Sequence, residues 1–359
     1  MNVPTLAALF GGRQNNLNLM RLLAALAVIY GHTSAVTGKA PPDLFLQLVG
    51  FKFLGGVAVD VFFVLSGFLI TASALKSTMT QFVLSRVLRI YPALVVCMVV
   101  TVFVIGGIFT TDNSYYSNGS TWRYFLTNAT GTGTEYYLPG VFDNLHDKAV
   151  NGSIWSIVLE LRLYASVFVL MYVGVLLRKN AFNVLCVFLI CAGYFGAGFI
   201  DALIPDANHR HVALMFLLGS FACINRLEFP LSPLLLLFLL FLSAATHGTD
   251  KFIYMYTITL TYLVFYVALI PGARWFDNVG DYSYGVYLYG WPSQQLVATA
   301  FPSLPNSAHT LLACSLALFF AAFSWHFIEK PCLSLKKRLR LKRSHSDRIS
   351  GELSRNETI

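Results

Sequence analysis

The chain has 359 residues, 56% hydrophobic and only 12% charged, with a mean hydropathy of +0.64. Soluble domains carry roughly a quarter charged residues, so this composition excludes a water-facing globule. The formal charge of +8 is no nucleic-acid signature either, because nine Lys/Arg against three Asp/Glu from Lys330 onward gather most of the excess in one tail.

Ten apolar segments read as membrane spans, at about residues 19–37, 52–75, 87–109, 153–177, 181–200, 211–225, 231–248, 253–271, 282–300 and 309–328. The expectation is an all-α, polytopic helical bundle of about ten transmembrane helices. No charged n-region, short apolar core and small-residue cleavage site precede the first segment, so no removable signal peptide is expected. With the N-terminus inside, the inner segments hold Arg13, Arg21, Lys76, Arg86, Arg89, Arg178, Lys179, Arg226, Arg274 and the nine tail charges, 18 of the 25 Lys/Arg. That bias predicts both termini on the cytoplasmic side. Residues 331–359 form a basic tail expected to be disordered. Five of the six cysteines lie in apolar runs and none forms a CxxC pair, so neither a disulfide framework nor a metal site is expected.

The first span contains "RLLAALAVIYGH". In a helix the eleven residues from Arg21 to His32 rise about 16 Å and complete three turns plus roughly 20°, so both lie on one face. Arg21 alone fits a snorkelling anchor at the inner headgroups, and His32 alone a satisfied interhelical hydrogen bonder. Intramembrane ionisable groups, however, commonly line a polar path. The second span, "GGVAVDVFFVLSGFLIT", places Asp60 at a depth similar to His32, where a carboxylate would orient the imidazole and raise its basicity. Ser66 and Gly67 fit a small-residue packing notch.

In "SRVLRIYP", Arg86 and Arg89 are neighbours on one helical face. They fit ordinary inner-end topology and equally a fork for phosphate groups. The connection from about 110 to 152 is long, polar and aromatic, which suits sugar contacts or a plain soluble loop. Asn118, Asn128 and Asn151 begin N-x-S/T triplets there. The fourth span opens "NGSIWSIVLELRLY", with Glu160 and Tyr164 one turn apart. A carboxylate two turns below the outer edge needs a partner or a job. "VGDYSYGVYLYGWP" offers tyrosines for a cavity or an interfacial belt, and Glu329 in "WHFIEKP" can pair with an inner arginine.

Taken in order, "NLNLMRLLAALAVIYGH", "GVAVDVFFVLSGFLIT", "SRVLRIYP", "NGSIWSIVLELRLY", "VGDYSYGVYLYGWP" and "FIEKP" resemble the acyltransferase 3 family, the membrane O-acyltransferases of bacterial surface glycans. The resemblance covers residues 1–330 and implies an O-acetyltransferase of the bacterial inner membrane, taking acetyl-CoA as donor and a lipid-linked or surface glycan as acceptor. It implies catalytic roles for His32 (base or acyl carrier), Asp60, Glu160 and Tyr164. Arg21, Arg86 and Arg89 would hold the acyl-CoA. Gly290 departs from the pattern, since many members have histidine there. A transporter or flippase without chemistry also fits a bundle with buried charges. The acceptor, the acyl length and the oligomeric state are open.

Overall fold

The computed structural model describes residues 4–7, 16–40, 43–270 and 280–335. Arg13, Arg274 and the tail beyond Leu335 lie outside them. The chain is helical throughout, and among the described residues the only β-type pairings are two isolated bridges. In order come α1 (Leu17–Thr37), α2 (Leu44–Val49), α3 (Leu54–Leu75), and α4 (Met79–Val99), which continues through a π-turn (Val100–Gly106) into α5 (Gly107–Phe109). After α6 (Gly119–Thr130) follow α7 (Ile154–Tyr172), α8 (Lys179–Tyr194), α9 (Gly198–Leu203), α10 (Ala207–Ile224), α11 (Pro233–Thr246) and α12 (Phe252–Leu269). The chain closes with α13 (Ser283–Ala300) and α14 (Asn306–Ser324), the last running through a second π-turn (Trp325–Glu329) to Leu335.

Every one of the ten apolar segments is helical. Five helices among the described residues are long and apolar enough to cross a membrane: α1, α3, the continuous Met79–Phe109 unit, α7 and Asn306–Leu335. Others, such as α8, α11 and α12, are apolar but shorter, so helix length alone does not give ten crossings.

The bundle is assembled through close backbone contacts, the packing that small residues allow where lipid offers no hydrophobic drive between helices. On α3, a Cβ on Gly67 would fall 2.0 Å from the Phe216 carbonyl oxygen of α10, and one on Gly219 would fall 2.1 Å from that of Val64. The Gly67 notch is therefore real, whereas Ser66 is spent on a hydrogen bond described below. At the other end of α3, Gly31 of α1 meets Gly55.

The connection between α5 and α7 is not a plain loop. Asn118 caps α6, accepting from the Ser120 amide, and α6 buries Thr121 and Tyr124. Tyr115 is buried too, and its hydroxyl donates to the Val102 carbonyl within the π-turn. Asn128 is fully buried and bonded to the Glu135 backbone through both its amide groups. Asn151 is equally buried, donating to the Leu288 carbonyl. Neither of these two triplets presents its asparagine for modification.

Candidate active site

At one pole of the bundle, charges from two helices, α1 and α4, meet on Asp281. The chain enters α13 through Gly280, at φ +119°, over the Trp325 ring, a conformation that an L side chain rarely adopts. Asp281 Oδ2 accepts from Arg21 Nη1 of α1 at 2.7 Å and from Arg89 Nη2 of α4 at 2.6 Å, while Oδ1 accepts from Ser283. Burial alone would raise this carboxyl, but the two guanidiniums and Ser283 hold it well below the usual carboxylate range. Arg89 also donates to Glu329 at 3.2 Å, and Ser324 donates to the other oxygen of Glu329. Glu329 closes the second π-turn and is 1% exposed, the kind of irregular turn that recurs at functional sites. The expected pairing of Glu329 with an inner arginine is present.

Arg86 differs from its two neighbours. It makes no ion pair among the described residues, donates to Ser85 at 3.2 Å and lies over the Tyr164 ring, 5.9 Å from its centroid. Tyr164 in turn donates to Glu160, which also accepts from Ser66 at 2.7 Å. Glu160, Tyr164 and Arg86 are thus one connected group, as the spacing of the first two predicts.

A cavity of about 40 Å³ joins this group to the ionic pole, with Arg21, Glu160, Ser156, Ser283, Phe62 and Tyr287 on its wall. Phe62 and Tyr287 meet edge to face with centroids 5.5 Å apart, which keeps the passage narrow.

His32 stands towards the opposite pole. Its Nδ1 is 2.8 Å from the Val28 carbonyl oxygen, and a carbonyl only accepts, so Nδ1 carries the proton and Nε2 keeps its lone pair. Nε2 makes no hydrogen bond among the described residues. Phe53 and Trp291 hold the imidazole edge to face at 4.9 and 5.1 Å. The ring is therefore fixed in orientation and tautomer while one basic nitrogen stays unengaged.

The expected contact between Asp60 and His32 is not formed. Helix α3 starts beside His32, where a Cβ on Gly55 would lie 3.1 Å from the imidazole, and Asp60 is five residues further on, about 7.5 Å along the axis. Asp60 is fully buried; its Oδ2 accepts from Lys52 at 2.6 Å and Tyr256 at 2.7 Å and lies 3.2 Å from His211 Nε2. The Val28 carbonyl, not Asp60, sets the tautomer of His32.

Asp281, Lys52 and His211 are the functional candidates that sequence reasoning missed. An aspartate two residues before a serine at the start of an apolar helix was the available signal for the first.

Gly290 explains its own departure from the family pattern, because a Cβ there would fall 2.9 Å from Ile29 of α1. A histidine at this position would have to displace that side chain.

A family model described as an acyltransferase domain matches residues 14–326. The chain is 28% identical over 343 residues to an O-acetyl transferase of Shigella phage Sf6, covering 90% of this chain and 97% of that protein. It is 31% identical over 166 residues to nodulation protein 10 of Rhizobium leguminosarum bv. viciae, 43% of each chain. No solved structure matches.

Proposed function

The chain belongs to the acyltransferase 3 family, and from that premise we propose that it moves an acetyl group from cytosolic acetyl-CoA to a sugar hydroxyl of a bacterial surface glycan. The family and the phage relative make it an O-acyltransferase, so the reading as a transporter without chemistry gives way. The phage protein's description as an O-acetyl transferase supports acetyl as the transferred group. The proposed setting is the bacterial inner membrane, with ten crossings and both termini cytoplasmic, the Asp281 cluster facing the cytosol and His32 the outer half.

The observation that carries this reading is the separation of two chemistries along α1. Arg21 belongs to an arginine-rich ionic cluster at one end, and His32 presents a bare Nε2 about 16 Å away. Arg21, Arg86 and Arg89 balance Asp281, Glu329 and Glu160 in charge, and their guanidiniums are suited to the phosphates of an acyl-CoA. Arg86 is the first candidate to meet them, because it makes no ion pair among the described residues. The flexible arm of the donor would pass Phe62 and Tyr287 towards His32.

There, Nε2 takes the proton of the sugar hydroxyl as the sugar oxygen bonds the thioester carbonyl carbon. The carbon–sulfur bond breaks, and the imidazolium returns its proton to the departing thiolate. In the alternative route Nε2 itself attacks the thioester carbonyl carbon, the carbon–sulfur bond breaks to release the thiolate, and the sugar oxygen then takes the acetyl group from Nε2 while its proton goes to that thiolate. Both routes spend the same lone pair. Mass spectrometry of surface glycans from bacteria with and without the gene tests the reading. The expected result is one acetyl group per repeat that disappears with the gene, and glycans of identical mass would sink it.

A further inference from the structure

Beyond His32, the same pole carries an open recess of about 590 Å³ lined by Ala35, Tyr137, His146, Asp147 and Lys148. Its size lies within the roughly 300–1,000 Å³ of small-ligand sites. Ala35 is one turn past His32 on α1, so the recess opens just beyond the imidazole.

The segment carrying its polar side chains is firmly held. Gln295 of α13 donates to the carbonyls of Asp147 and Ala149 at 2.7 and 2.6 Å, and Trp291 donates to that of Ala149 at 2.9 Å. The Ala149 amide donates to Asp147 Oδ1 at 2.8 Å. Trp291 is the residue whose ring also packs against His32, so one side chain braces both the recess and the imidazole.

The wall of the recess has hydrogen-bonding capacity left over. Asp147 Oδ2 and the side chains of His146 and Lys148 make no hydrogen bond or ion pair among the described residues. Tyr137 is 63% exposed and offers a ring face. A rigid frame bearing an aromatic face, a carboxylate, an ammonium and an imidazole matches the needs of a polyhydroxylated sugar ring. It lacks the arginines that the ionic pole offers to the phosphates of a coenzyme.

Resting on the O-acetyltransferase reading above, we propose that this recess is the acceptor subsite, and that it takes a sugar stacked on Tyr137 with a hydroxyl held by Asp147 for presentation to His32. Asp147 is then the group that orders the acceptor, at the mouth of the recess one turn beyond His32.

The test uses the full chain in nanodiscs, acetyl-CoA, and as acceptor the surface glycan of the producing bacteria after mild alkaline removal of its O-acetyl groups. Asp147→Asn keeps an oxygen for the Ala149 amide and so preserves the loop. The expected result for Asp147→Asn and for Tyr137→Ala is a KM for glycan raised about tenfold, the worth of one well-formed hydrogen bond, with the KM for acetyl-CoA unchanged. Unchanged glycan KM in both variants, or a shift in the acetyl-CoA KM instead, overturns the assignment. Wild-type protein that leaves acetyl-CoA intact with this glycan refutes the O-acetyltransferase reading itself.

Discussion

Gly31 of α1 and Gly55 of α3 meet backbone to backbone, so closely that a Cβ on Gly31 would fall 2.3 Å from the Gly55 nitrogen. The contact sits beside His32 and fixes how the N-terminal end of α3 faces the imidazole. Neither helix can yield without moving the ring. Gly31→Ala is therefore expected to lower the thermal midpoint in detergent and to reduce acetyl transfer at least about tenfold, about 1.4 kcal/mol and within the ~1–3 kcal/mol of ordinary overpacking. Gly193→Ala on α8 is the control: no atom lies within 4 Å of its added carbon, and its midpoint should hold or rise.

His32→Ala should abolish transfer, with a loss of at least about 100-fold, the lower end of what a positioned base supplies. The variant should still purify as a folded species, because among the described residues the only hydrogen bond it loses is the local one to Val28. Product mass spectrometry together with size-exclusion chromatography reads both outcomes. Wild-type turnover by His32→Ala would remove the histidine from the chemistry altogether.

Arg86 and Arg89 should separate. Arg86→Gln removes an unpaired guanidinium, so the KM for acetyl-CoA should rise about tenfold, as loss of a charge-assisted hydrogen bond implies, with little change in thermal midpoint. Arg89→Gln leaves Asp281 and Glu329 each short of a cation and should cost on the order of 2–3 kcal/mol of stability. Steady-state kinetics alongside thermal melts distinguishes the two, and equal melts would contradict the ion-pair assignment.

Asp281 gives a pH prediction. Its folded pKa lies below the unfolded value of about 3.9, so its stabilisation is complete above that value and is lost only as pH falls through the lower folded one. The deficit of Asp281→Asn against wild type should thus shrink below about pH 4, and any change between about pH 8 and about pH 5 comes from Glu329, which shares Arg89 and whose carboxyl is pushed up by burial to about 7. Melts across that range measure it.

Much of the bundle was legible because long apolar runs in lipid must be helical, and all ten segments are. The Glu160–Tyr164 pair was legible because one helical turn brings such residues together whatever surrounds them. Asp60 misled for the opposite reason. Counting depth along two spans cannot say where each helix begins, and α3 starts level with His32, leaving Asp60 more than a turn away. Its partners Lys52, His211 and Tyr256 come from three separate segments, and Lys52 reads in sequence as an ordinary outer-edge charge. Asp281 was missed because its arginines are 260 and 192 residues away, a separation that no local pattern records.

One oxygen of Asp281 serves two guanidiniums at once. A phosphate that engages Arg21 or Arg89 therefore has to displace a carboxylate already there, whereas at Arg86 it does not. The anion it displaces stays tethered beside the two guanidiniums. A site built this way keeps its own replacement anion in reserve for the moment the ligand leaves.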